Sequence, residues 1–109
     1  MLPNQPTLFY RAGVENICEA VAAQTIDVPA AKQQPNVKQW SSKSPDPAIA
    51  DFVGIVMALP ASDSRAAPAT DLLKAHFTKA TQSGATASNA LKSTFVAACL
   101  APSSVSIGL

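Results

Sequence analysis

The chain has 109 residues, enough for one hydrophobic core and too few for two. Hydrophobic residues make up 48% of it and charged residues 14%, a balance that excludes an intrinsically disordered segment, which needs low hydrophobicity and high net charge. A net charge of +1 and a pI near 7.8 leave no electrostatic footprint for nucleic acid or an anionic membrane surface.

The first helix is predicted over residues 8–26. Tyr10, Val14, Ile17, Cys18, Val21 and Thr25 fall at helical spacing and make its expected apolar face, and Thr7 is its expected N-cap. Asp27-Val28-Pro29 ends it. The region from Ala30 to Pro47 is read as a Pro-rich loop, because Pro29, Pro35, Pro45 and Pro47 forbid a continuous helix. Trp40 stands in this polar loop and is expected to fold back over the core, given the area an indole buries. A second helix is predicted over 47–59, with Asp46 as N-cap, Pro47 at the first helical position and a stripe of Ile49, Phe52, Val53, Val56 and Met57.

A third helix is predicted over 64–83, capped by Asp63 or Ser64. Pro68 is tolerated only near its first turn, and Leu72, Leu73, Phe77 and Ala80 form the expected inward stripe. Gly84 suits the left-handed position that closes a helix. Thr86 then caps a fourth helix over 87–100, apolar on nearly every side from Leu91 to Leu100 and therefore expected at the centre. Pro102 stops it. Val105, Ile107 and Leu109 alternate in an irregular tail. The predicted fold is all-α: a compact bundle of four main helices in a single domain.

No run approaches the roughly 18 to 20 continuous apolar residues of a membrane span. The opening Met1-Leu2-Pro3-Asn4-Gln5-Pro6 carries neither the basic nor the apolar part of a secretory signal. That start, with the low charge, leads to the expectation of a piece of a longer exported or envelope-associated protein rather than a cytoplasmic one. Cys18 and Cys99 show no CxxC spacing, and His76 is the sole histidine, so a zinc site would have to recruit carboxylates. Two alternatives stand for the cysteines: a pair of buried thiols, or a long-range disulfide contributing on the order of 4 kcal/mol.

Chemistry-bearing residues are sparse. His76 is the obvious general-base candidate, but its i−4 and i+4 neighbours are Leu72 and Ala80. Glu15 and Glu19 lie one turn apart on a face with Arg11 and Asn16, a solvated setting. Lys32, Lys38 and Lys43 surround Trp40 too thinly for nucleic-acid binding. Asp63-Ser64 resembles the pair that receives a phosphopantetheine arm in carrier proteins, over two residues only, and an N-cap accounts for it. The sequence has no GxGxxG, Walker, HExxH, SxxK or GxSxG pattern. It points to no cofactor.

The stretches Leu59-Pro60-Ala61-Ser62-Asp63-Ser64-Arg65 and Gly84-Ala85-Thr86-Ala87-Ser88-Asn89-Ala90-Leu91-Lys92-Ser93-Thr94-Phe95 resemble the Ala-rich helical C-terminal domain of large exported proteins and lipoproteins of myxobacterial type. The opening Phe9-Tyr10-Arg11-Ala12-Gly13-Val14-Glu15-Asn16 is compatible with it. The resemblance implies an envelope context and no assigned activity.

The leading functional expectation is a non-catalytic helical domain that binds another protein or the remainder of its own chain, with Trp40, Val105, Ile107 and Leu109 as its interface. One alternative is a small-molecule-binding or enzymatic domain with a pocket near His76, using Tyr10 or Glu15. Another is a redox-responsive pair, Cys18 and Cys99, which requires Cα atoms within roughly 7 Å.

Overall fold

The computed structural model describes residues 5–33 and 35–101, with side-chain surroundings from residue 13 onward. Four α-helices build it: α1 (Gln5–Thr25), α2 (Pro45–Asp51), α3 (Ala66–Gln82) and α4 (Ala87–Cys99). A 3-10 turn at Ala30–Lys32 interrupts the Pro-rich connection, and a π-helical turn at Phe52–Val56 continues α2. The four-helix, all-α architecture is the one the breakers and stripes predict. The tail residues Val105, Ile107 and Leu109 lie outside the described residues.

α4 is the central helix. Ala90, Leu91, Thr94, Phe95 and Ala98 are buried along it, and it packs against α1, α2, α3 and the π-helical turn. Its apolar composition on nearly all sides is what a helix with several neighbours requires. Its start is fixed locally: the Thr86 hydroxyl accepts the Asn89 N–H at 3.1 Å, removing one of the unpaired donors of the first turn. Thr94, fully buried, is satisfied by donating its hydroxyl to the Ala90 carbonyl at 2.8 Å.

The other boundaries follow backbone chemistry, with corrections. α1 begins at Gln5, so Thr7 lies inside the helix rather than capping it. Ser44, not Asp46, is the N-cap of α2, and Pro45 occupies the first helical position, where its missing N–H costs nothing. α3 starts at Ala66, later than expected, because Asp63 spends its carboxylate on a turn. Asp63 Oδ1 accepts the Arg65 backbone N–H at 2.8 Å, the self-capped geometry Asp favours in turns. Gly84 takes φ +103° after α3, as a helix-closing glycine does.

Two helices bury a sector shifted from the one expected, keeping Cys18 and Thr25 on one and Leu73 and Phe77 on the other. On α1 the inward residues are Cys18, Ala22 and Thr25, with Ile26 just beyond its end, while Ile17 is 63% exposed and Val21 is also exposed. On α3 the inward residues are Ala66, Ala69 and Leu73, Phe77 is half-buried, and Leu72 is 72% exposed. In both cases small residues sit on the contact side. Alanines let helix axes approach closely, and dispersion gains over the whole contact decide which sector turns inward.

The stripe predicted for α2 and its π-helical continuation holds: Ile49, Phe52, Val53 and Met57 are buried. The segment stops in an unusual way. The Met57 N–H bonds the Phe52 carbonyl at 2.9 Å and the Leu59 N–H bonds the Val53 carbonyl at 3.0 Å, while Ala58 between them takes φ +56°. That left-handed conformation costs a non-glycine residue about 1–2 kcal/mol. It turns the chain so that Leu59 is buried immediately before Pro60.

Candidate functional site

Cys18 and Cys99 form a disulfide with Cα atoms 6.0 Å apart and a sequence separation of 81. Of the two alternatives read from the sequence, the bridge is the one the structure contains. It ties the middle of α1 to the last residue of α4. Cys18 is buried and Cys99 half-buried, so the bridge lies at the edge of the core.

Trp40 reaches the core from the loop. Its backbone pairs with the end of α1, donating to the Thr25 carbonyl at 2.7 Å and accepting from the Asp27 N–H at 3.0 Å. The half-buried indole meets Phe52 edge-on at 5.1 Å and Phe95 at 5.9 Å, and Phe52 and Phe95 are themselves edge-on at 5.3 Å. Offset and T-shaped arrangements are the ones the ring quadrupole favours. The indole N–H donates to Asp51 Oδ2 at 2.9 Å, and Lys38 closes on the same oxygen at 3.2 Å. The indole hydrogen bond holds the Asp51 carboxyl below the usual range, opposed by partial desolvation and assisted by Lys38. The expected plug over the core is therefore what Trp40 forms. Asp51 as its polar partner was not legible, since nothing local links positions 40 and 51.

His76 is exposed, and its Nε2 lies 2.8 Å from Ser93 Oγ on α4. It borders a groove of about 460 Å³ whose other lining residues are Met57, Ala69, Leu72, Leu73, Ala97 and Ala101. Among the described residues no carboxylate lines this groove, so they do not assemble there the acid–base pair that an enzymatic reading requires. Glu15 and Glu19 belong to a separate cleft of about 430 Å³, shared with Ala22, Lys92, Ser93 and Val96. Ser93 lines this second cleft while bonding His76, so the imidazole's partner is a hydroxyl rather than a carboxylate. The side chain of Tyr10 lies outside the described surroundings.

Asp27, Asp63 and Arg65 also have structural employment. Asp27, at φ +54°, accepts the Ser42 N–H at 2.9 Å. Burial pushes its carboxyl up, but hydrogen bonds from Ser42 and Ser88 and the charge of Lys92 outweigh that and leave it below the usual range. Asp63 and Arg65 form a bidentate pair at 3.1 and 2.9 Å; the Arg65 guanidinium and backbone N–H hold the Asp63 carboxyl at about 2. The Asp63 that might have marked a carrier site is thus committed to its neighbour. Among the described residues no three His, Cys, Asp or Glu side chains converge to hold a metal ion. Nor is any helix there long and apolar enough to cross a membrane.

Together these features define a class: a disulfide-linked four-helix bundle with an aromatic plug and hydrogen-bonded turns and caps. No protein-family model, curated protein or solved structure matches the chain.

Proposed function

We propose that this chain is a non-catalytic helical domain that serves structure or protein interaction in an exported or envelope-associated protein, as its resemblance to the Ala-rich domains of myxobacterial type implies. The observation that carries the reading is the Cys18–Cys99 bridge. Structural disulfides persist in oxidising compartments and are rare where glutathione and thioredoxin keep thiols reduced. The non-catalytic part is supported by the engagement of Asp51, Asp63, Asp27 and His76 in bonds that shape the fold. The interaction part is supported by large apolar side chains left on the surface, Ile17, Ile55 and Leu72. Trp40 contributes to that interface only through the part of its ring not packed on Phe52 and Phe95, with Val105, Ile107 and Leu109 as further contacts.

The test is to quench the cells that make the protein with an alkylating agent before lysis and measure intact mass. Unmodified cysteines and a mass two protons light support export. Two alkylated thiols in the fresh lysate would overturn it. A second reading, a redox-responsive pair, draws on the half-buried setting of Cys99, which gives a reductant a side from which to approach. A glutathione redox titration separates the two. A structural bridge stays closed at a cytosolic glutathione poise, whereas a responsive one opens across it.

A further inference from the structure

We infer that the cleft beside Trp40 is a carbohydrate site that takes one pyranose unit, with the sugar's ring face on the indole and its hydroxyls on the surrounding amides and charges. The cleft has a volume of about 490 Å³, within the range of small-molecule sites. Trp40 and Val28 make the apolar part of its lining, and every other lining side chain forms hydrogen bonds. The inference rests on the interaction reading, because it gives the chemistry of what the unpacked part of the Trp40 ring receives, and it does not depend on export.

The polar lining is already held in place. Gln33 Nε2 donates to the Val28 carbonyl at 2.9 Å, and Gln39 Nε2 donates to the Gln24 carbonyl at 3.0 Å. Both carboxamides are thereby fixed through their amino groups and keep their oxygens as acceptors. Gln39 Oε1 is buried and receives no hydrogen bond, a state that buried acceptors rarely keep. Asp27, held by the Ser42 N–H, adds a carboxylate. Lys43 lines the same cleft and has no ion pair among the described residues, so its ammonium is a donor. Side chains fixed beforehand lose little freedom when a ligand arrives. The charges of Asp27 and Lys43 cancel, which favours a neutral ligand. A guanidinium would meet the Lys43 ammonium, and a carboxylate or phosphate would meet Asp27 and two carboxamide oxygens. A hydroxyl both donates and accepts, so a polyol can satisfy the oxygens and the ammonium together. A pyranose adds an apolar C–H face, which is what the indole surface suits.

The experiment titrates the full oxidised chain with the methyl pyranosides of glucose, mannose and galactose and follows its amide and indole resonances. At least one is expected to shift the signals of Gln39, Trp40 and Ser41 saturably, with a millimolar Kd. That Kd is the same at low and high salt, because a neutral ligand is not screened. Gln33→Ala and Lys43→Ala change exposed positions, and each should raise the Kd by about fivefold or more through a lost hydrogen bond while the circular dichroism stays the same. A saturable shift with none of the three sugars would overturn the inference. So would sorbitol, which lacks the ring face, binding as tightly as the best pyranoside, or a Kd that neither substitution moves. Ethylguanidinium binding at these signals in place of the sugars would overturn it too, and would assign the cleft to a cationic peptide. A glycopeptide that binds more tightly than its released oligosaccharide places the sugar on a protein partner, and equal binding places it on a free glycan. Two alkylated thiols in the export test leave this titration unaffected, so the two readings fail separately.

Discussion

Opening the Cys18–Cys99 bridge tests how much of this bundle's stability resides in one covalent tie. The bridge spans 81 residues, and the chain-entropy relation for a loop of that size gives about 15 cal/mol/K, or about 4.5 kcal/mol at 25 °C. A domain of this length has roughly 5–15 kcal/mol of total stability, so the predicted loss is about 30% of it or more. α1 is the element most at risk. It docks chiefly on α4, and Cys18, Ala22 and Thr25 are its buried residues among those described. The assay is urea unfolding followed by circular dichroism for three forms: oxidised, reduced, and Cys18→Ala with Cys99→Ala. Reduction keeps the side-chain volume and should cost about 4 kcal/mol; the double alanine variant should cost about 1 kcal/mol more, for the methylene-sized cavity at buried Cys18. A loss below about 1.5 kcal/mol on reduction would refute the reasoning, because the unfolded chain would then not be gaining the conformational freedom the loop length implies.

Asp51→Ala should destabilise by about 1–3 kcal/mol, since it leaves the half-buried Trp40 N–H without its acceptor; the Trp40 emission should shift red, and an unchanged spectrum and midpoint would count against the plug. Ala58→Gly should stabilise by about 0.5–1 kcal/mol, because glycine takes the observed φ of +56° without the Cβ penalty; a lower urea midpoint would contradict this. Thr86→Ala should cost about 1 kcal/mol through loss of the α4 cap, read as a lower thermal midpoint. Acid titration should follow the lowered carboxyls of Asp27 and Asp51. A group depressed in the folded state contributes stability that is fully present above its unfolded pKa of about 3.9 and is lost as pH falls through the folded value. Stability should therefore be flat from neutral pH to about 5 and decline below about 4. Asp51→Asn should shallow that decline; an identical slope would show that the carboxylate is not its source.

Where helices start and stop was largely legible because those signals are local. Pro29, Gly84 and Thr86 act through their own backbone geometry, and the structure ends or begins elements beside each of them, whereas the helix expected to run to Pro60 already ends at Val56. The caps misread at Thr7, Asp46 and Asp63 were neighbours of the right place; several Ser, Thr and Asp residues competed, and the choice depended on a hydrogen bond as specific as Asp63 to the Arg65 N–H. The stripe through Ile49, Phe52, Val53 and Met57 was legible for a related reason, since its spacing is local and only Ile55 among the segment's large apolar residues lies off it, exposed. Of the candidate site residues, Cys18 and Cys99 were visible as a possible pair, but their proximity depends on the first and last helices being neighbours. The groove beside His76 left no sequence signal, because its walls come from α3, α4 and the end of the π-helical segment.

The helix count, their order, the loop rich in proline and the central place of α4 could all be read from composition and spacing, because each depends on residues within a turn or two of one another. The inward faces of α1 and α3 could not. On α1 the larger residues Ile17 and Val21 point outward while Cys18 and Ala22 point in, so hydrophobicity along the helix finds Cys18 and Thr25 but misplaces the centre of the face. What turns it is the surface of α4: Cys99 waiting for Cys18 and small side chains that let the two axes approach. That information lies in a different part of the chain, and it acts on α1 only once both helices have formed and met.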